Sequence, residues 1–303
     1  MRKFNLKGTV VERMKGIQRE EPKPSDAAAA AGDGNPEMSA AFTEEQGVFT
    51  VAWRTDVGRL RRNNQDAVIL GNGLAGVADG MGGHNGGEIA SAGLRDGLLR
   101  EIRDRKPGHD ALREAVQTVN RTLWEQQEKD ISLAGMGTTL TIAWPTAKEM
   151  IIGQVGDSRA YLLRGGEMTQ VTEDHSMVAD MVRKGVLTEE QAACHPMRNY
   201  ITRAVGTEEN VEIDIILHER RKGDRWLICS DGLYGMVPRA ELKQMLEEEN
   251  LETAAEKMLR AALAGGGKDN ISIVLLQDDT GSAAEENENE SAEGRASEEV
   301  KPQ

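Results

Sequence analysis

From residue 48 to residue 277 the chain alternates short apolar runs with longer stretches whose apolar residues recur every three or four positions. The runs at 48–53, 66–70 and 74–78 read as strands, because they are short, apolar and bounded by Gly and Asp. Helical spacing follows at 88–105 and 110–129, with Asp110 expected as the N-cap of the second helix. Strands return at 138–144, 150–155, 160–163 and 169–172, and Gly165-Gly166 between the last two predicts a hairpin and antiparallel pairing. A mixed region at 175–207 precedes strands at 211–218 and 226–230, helices at 238–249 and 251–263, and a final strand at 271–277. Helices grouped between runs of strands, not strictly alternating with them, favour a layered sheet sandwich flanked by helices over a doubly wound parallel sheet.

The ends of the chain break this pattern. Residues 1–46 hold a Pro- and Glu-rich stretch, five consecutive alanines and Gly32-Asp-Gly-Asn-Pro36, a composition that cannot build a core and predicts a linker. Residues 1–19 alternate basic and apolar positions, which suits either a docking segment or a solvated tail. Residues 278–303 carry nine acidic residues against Arg295 and Lys301 and almost nothing apolar, so a disordered acidic tail is expected there.

Half of the net charge of -14 belongs to that tail, which leaves 47–277 as a mildly acidic domain. Acidity of this kind argues against binding nucleic acid or an anionic membrane through a basic footprint. Cys194 and Cys229 have neither CxxC spacing nor neighbours that suggest a disulfide framework or a zinc site. No apolar run approaches the roughly 18 residues of a membrane span, and the N-terminus lacks a signal-like apolar stretch. A cytoplasmic protein without membrane insertion is the expectation.

Four of the apolar runs have an aspartate beside them: Asp79, Asp157, Asp231 and Asp269. Taken singly, an Asp-Gly pair is a turn former. Four such residues at strand ends point instead to convergence, and gathered carboxylates are costly unless a cation offsets their repulsion and desolvation. Hard oxygen donors suit Mg²⁺ or Mn²⁺. Two such ions about 3.5 to 4 Å apart can share a water and lower its pKa, supplying a hydrolytic nucleophile without serine or cysteine.

The segment Arg61-Arg-Asn-Asn-Gln-Asp66 adds an arginine fork that could grip two phosphoryl oxygens, or a solvated basic turn. Residues 79–87 contain five glycines but lack the GK[ST] ending of a nucleotide-binding loop. Glycines there would let the backbone approach a metal, with the Gly80 carbonyl as a candidate ligand. His84 in the same loop is placed to protonate a leaving alkoxide.

The motifs Thr55-Asp-Val-Gly-Arg-Leu-Arg61-Arg-Asn-Asn-Gln-Asp66, Val77-Ala-Asp79-Gly-Met-Gly-Gly-His84, Gly135-Met-Gly-Thr-Thr, Val155-Gly-Asp157-Ser-Arg-Ala-Tyr, Thr172-Glu-Asp-His-Ser, His195-Pro-Met-Arg-Asn, Cys229-Ser-Asp231-Gly-Leu and Asp269-Asn-Ile-Ser occur in this order across residues 48–277. Together they resemble the metal-dependent Ser/Thr protein phosphatases of type 2C, the PPM family, in its bacterial form. The resemblance implies an α+β fold: a four-layer α-β-β-α sandwich of two antiparallel sheets flanked by helices. It implies two Mn²⁺ or Mg²⁺ ions, with Asp79 bridging them, the Gly80 carbonyl, Asp231 and Asp269 completing the shell, and Asp66 acting through coordinated water. Asp157 would join Asp231 at a weaker third ion. Arg61 would bind substrate phosphate, His84 would be the general acid, and residues 176–207 would form a flap beside the site.

The activity so implied is direct hydrolysis of phosphoserine and phosphothreonine in protein substrates by a metal-bridging hydroxide. Partners would be phosphoproteins, including a Ser/Thr kinase, with the phosphatase itself a monomer. Two alternatives stay open: a dedicated phosphatase of a partner-switching pathway, and a phosphoprotein-binding pseudoenzyme without turnover.

Overall fold

The computed structural model describes residues 46–82 and 86–280. In chain order the elements are β1 (Phe49–Asp56), β2 (Asp66–Gly71), β3 (Leu74–Met81), α1 (Gly86–Glu101), α2 (His109–Lys129), β4 (Gly137–Thr138), β5 (Leu140–Pro145), β6 (Glu149–Val155), β7 (Arg159–Arg164) and β8 (Glu167–Gln170). They continue with α3 (Met177–Arg183), α4 (Glu189–Ala193), β9 (Asp214–Glu219), β10 (Arg225–Cys229), α5 (Asp231–Tyr234), α6 (Arg239–Leu246), α7 (Leu251–Ala264) and β11 (Ile271–Asp278).

Central strands such as β11 are apolar at successive positions because both of their faces are covered. On β11, Ile271, Ile273 and Leu275 point to α6 and α7, among Leu242, Leu246 and Leu259. The alternate residues Val274 and Leu276 point the other way, into a layer shared with Val68, Val77, Ile152 and Trp226. Helices α1 and α2 cover the far side of the second sheet through Leu94, Leu98, Leu112, Val116 and Leu123. At about 1.5–3 kcal/mol for each fully buried large apolar side chain, these three layers of packing supply the main drive to fold.

One sheet runs β1-β11-β10-β7-β8 and the other β2-β3-β5-β6-β9, with β4 beside β3. The strand pairs are antiparallel. This is the expected four-layer α-β-β-α sandwich.

The elements differ from the sequence reading in places that have local causes. Gly165 and Gly166 both have positive φ, +58° and +78°, so a two-residue turn lets pairing begin at Arg164 opposite Glu167, two residues before the expected start of β8. Val211 and Ile213 are buried against the helical layer and lie ahead of β9, which begins at Asp214. Asp110 is not an N-cap: Gly108 holds that position, and Asp110 lies inside the first turn of α2, near the positive end of the helix. The short helix α5 was not anticipated.

Residues at the two expected edges of the domain meet in one buried cluster. Arg220 is almost wholly buried, donating from Nε and Nη2 to both oxygens of Asp278 at 2.7 and 2.9 Å. Its Nη1 donates to the carbonyls of Gln46 and Thr146, and its guanidinium lies 4.6 Å from the centre of the Phe49 ring. Gln46 and Asp278, placed by composition outside the domain, are therefore buried with it; of the expected extension and tail, residues 1–45 and 281–303 lie outside the described residues.

Residues 176–207 leave the sandwich and return to it. The loop is closed at its base by Met177 N–H to the Tyr200 carbonyl and by Thr202 N–H to the His175 carbonyl, 2.9 and 2.8 Å. Inside it are only α3 and α4, capped by Ser176 and Thr188. Short capped helices with little burial make a unit that depends on its base for support.

Candidate metal centre

The site lies where the two sheets meet at one end of the sandwich. Asp66 begins β2 and stands directly opposite Asp79 on β3, so the sheet itself puts two carboxylates on one face. Asp231 follows β10 and opens α5, while Asp269 lies two residues before the start of β11, so these two come from the other sheet. Asp157 sits on the connection from β6 to β7, which passes from one sheet to the other. Five aspartates thus converge from both sheets.

Backbone close to these residues is firmly held. Asp79 N–H donates to Thr139 Oγ1 at 2.9 Å, and its carbonyl accepts from Thr138 Oγ1 and Thr139 N–H. Gly80 N–H donates to the Gln65 carbonyl at 3.1 Å. A Cβ at Gly80 would lie 2.0 Å from the Gly87 carbonyl oxygen, so only glycine lets the start of α1 pack this closely on β3. Asp157 is buried, and Tyr234 donates its hydroxyl to the Asp157 carbonyl at 2.9 Å.

Electrostatics at this end are unbalanced. Burial, reinforced by Asp66, Asp231, Asp157 and Asp269, pushes the Asp79 carboxyl well above the usual carboxylate range. Asp66 is raised chiefly by burial, against the pull of the Ser230 and Ser272 hydroxyls. Asp231 is raised by burial and by Asp269, and Asp157 is pushed up to about 7 by burial with help from Asp231 and Asp174. The nearby cations are already engaged: Arg61 donates to Asp269 at 2.7 Å, and Arg159 grips both oxygens of Asp174 and stacks 3.7 Å over Tyr234.

Asp66 Oδ1 and Asp231 Oδ1 are buried with no hydrogen-bond partner among the described residues. Orphaned buried carboxylate oxygens in a cluster of like charge fit divalent cations, whose positive charge and oxygen preference meet both deficits. Asp269 is turned onto Arg61 and the N–H of Asn270, and among the described residues no three acidic, His or Cys side chains are gathered tightly enough to grip an ion by themselves. A bound ion would compete with Arg61 for Asp269.

The fold brings Arg61, Asp66, Asp79, Gly80, Asp157, Asp231 and Asp269 to one region; His84 lies outside the described residues. Sequence reasoning missed the buried polar residues around them. Ser230, Ser272, Thr139 and Ser158 are each fully buried, and Asn270 nearly so. A signal was present for two of these, since Ser230 and Asn270 directly adjoin Asp231 and Asp269.

Oxygen donors drawn from both sheets, two of them buried without partners among the described residues, make this end of the sandwich suited to divalent cations. Residues 60–270 match the family model described as Protein phosphatase 2C, and the chain belongs to that family. It is 41% identical over 231 residues to the serine/threonine protein phosphatase PstP of Mycobacterium tuberculosis, a match that covers 75% of this chain and 45% of PstP. The chain thus spans under half the length of that relative. It is 37% identical over 237 residues to the serine/threonine phosphatase stp of Listeria innocua, covering 74% of this chain and 94% of stp.

Among solved structures, that of M. tuberculosis PstP superposes with a TM-score of 0.73 at 39% identity, covering 77% of this chain and 99% of the other. The PstP catalytic domain in complex with two manganese ions gives 0.71 at 37% identity, with the same coverage.

Proposed function

We propose that the chain is a metal-dependent protein serine/threonine phosphatase. The observation that carries this reading is the acidic centre with its two orphaned carboxylate oxygens, within a fold shared with named Ser/Thr phosphatases. Those names support general phosphoprotein hydrolysis over the partner-switching alternative. When bound, a pair of Mn²⁺ or Mg²⁺ ions would supply Lewis acidity and lower the pKa of water enough for hydrolysis near neutral pH.

Asp79, the Gly80 carbonyl, Asp231 and Asp269 would hold that pair, Asp66 would hold it through water, and Asp157 with Asp231 would take a weaker third ion. Arg61, half exposed and now paired with Asp269, is free to swing to a phosphoryl group once a cation claims the carboxylate. Its fork would orient the phosphate and offset charge as the ester bond breaks. His84 would give its proton to the departing serine or threonine oxygen.

Phosphoproteins, including a Ser/Thr kinase, are the proposed substrates, in a signalling role and as a monomer. The cytoplasm is the proposed compartment, consistent with free thiols at Cys194 and Cys229. No helix among the described residues is long and apolar enough to cross a membrane.

Hydrolysis of a small aryl phosphate and of a phosphothreonine peptide, measured after chelation and again after adding Mn²⁺, tests the proposal. Activity should vanish and return; turnover that survives exhaustive chelation refutes it.

A further inference from the structure

We infer that Ser230 is a positioning residue that sorts the two oxygens of Asp66 and ties the carboxylates of one sheet to those of the other. This rests on the metal-dependent reading above.

Ser230 lies between the end of β10 and Asp231 and is fully buried. Its N–H donates to the Ser272 carbonyl at 3.1 Å, and its Oγ accepts from the Ser272 N–H at 3.0 Å. Its hydroxyl donates to Asp66 Oδ2, 2.8 Å away and 164 residues distant in sequence. A donor on Oδ2 keeps that oxygen an acceptor. The other oxygen, Oδ1, is the one left buried without a partner among the described residues. The serine thus decides which oxygen of Asp66 faces its neighbours on the protein and which is offered to the site.

A second chain of donors converges on the same corner. Asn64 Oδ1 accepts from the Asp66 N–H at 3.1 Å while its Nδ2 donates to Thr55 Oγ1 at 2.8 Å. Thr55 Oγ1 lies 2.9 Å from Ser272 Oγ, a hydroxyl pair in which either oxygen can donate, and this links Asn64 to Ser272.

Asn270 repeats the tactic beside Asp269. Its Oδ1 accepts from Gln65 N–H at 2.8 Å, and its Nδ2 donates to the carbonyls of Val57 and Asn63 at 3.0 and 2.9 Å. The residues adjoining Asp231 and Asp269 on one sheet therefore both reach across to the segment that carries Asp66 on the other. Groups that orient ligands in this way govern metal affinity without touching the metal.

Isothermal titration of the full chain with Mn²⁺ tests this. Ser230→Ala should weaken Mn²⁺ binding by about tenfold or more while circular dichroism stays that of the wild type. Asp66→Asn should weaken it as well, and the Ser230→Ala/Asp66→Asn double variant should bind no more weakly than Asp66→Asn alone, because the serine acts through that carboxylate. Should Ser230→Ala fail to fold, Ser230→Cys, which swaps a strong donor for a weak one at similar volume, takes its place in the same cycle. Wild-type affinity in the serine variant, or losses that simply add, overturn the inference. A wild-type chain that binds no Mn²⁺ overturns the metal reading, and this inference with it.

Discussion

The β1–β11 strand pair ends in two buried polar clusters of opposite character. At one end, where Phe49 faces Asp278, Arg220 meets the Asp278 carboxylate with two parallel bonds and gives its remaining N–H groups to the carbonyls of Gln46 and Thr146 and the Thr280 hydroxyl. At the other, where Asp56 faces Ile271, five aspartates gather and two of their oxygens find no partner among the described residues. Both ends place charge out of water, yet only the first is complete. A matched cluster closes the domain; an unmatched one is shaped for something the chain does not itself contain.

Removing a charge should therefore have opposite effects at the two ends. The largest change is expected for Asp79→Asn, which should lower kcat/KM by ~10³-fold or more if, as proposed, this carboxylate helps to hold the ions, because its loss would withdraw several kcal/mol of charge stabilisation. The same substitution should raise the midpoint of thermal unfolding of the metal-free protein, since it replaces an ionisable group that burial and four neighbouring aspartates disfavour with a neutral one. A metal-free variant less stable than wild type would mean the cluster is balanced after all.

Next in size, Arg220→Ala should destabilise the fold by about 3–5 kcal/mol in urea, by leaving Asp278 buried and uncompensated. A loss below about 1 kcal/mol would place that pair among ordinary surface bridges.

A third contrast concerns pH. Asp157 is raised to about 7, and Asp66, Asp79 and Asp231 are also raised above the usual carboxylate range. Carboxyls whose folded pKa exceeds the unfolded value hold protons that the unfolded chain has released. Their contribution is full below the unfolded value of 3.8 and is lost as pH climbs through about 7. Metal-free protein should therefore lose stability between pH 5 and 7, at up to about 1.4 kcal/mol per pH unit for each such proton. Saturating Mn²⁺ should flatten the slope. A metal-free slope that is flat or rising over this window would contradict the unbalanced picture.

Much of this was legible beforehand, for identifiable reasons. Strands such as β3 and β11 announce themselves by unbroken apolar runs, and the Gly165-Gly166 hairpin by a residue pair that tolerates positive φ. Asp79, Asp231 and Asp269 stood out because each adjoins such a run. Arg220 did not, being one charged residue among Glu219, Arg221, Lys222 and Asp224 with nothing local to mark it as buried. Ser230 and Asn270 were visible only as neighbours of the carboxylates, and Val211 and Ile213 read as strand because burial against helices and burial within a sheet leave the same apolar signature.

Patterning by itself determined the elements, the layered class and the residues with metal-binding chemistry, since periodicity and residue type act over a few positions. Tertiary structure alone decided which buried charges are matched and which are left open. Asp66 finds Ser230 across 164 residues and Arg220 finds Asp278 across 58, and the desolvation that makes those meetings matter exists only once two sheets have closed over them.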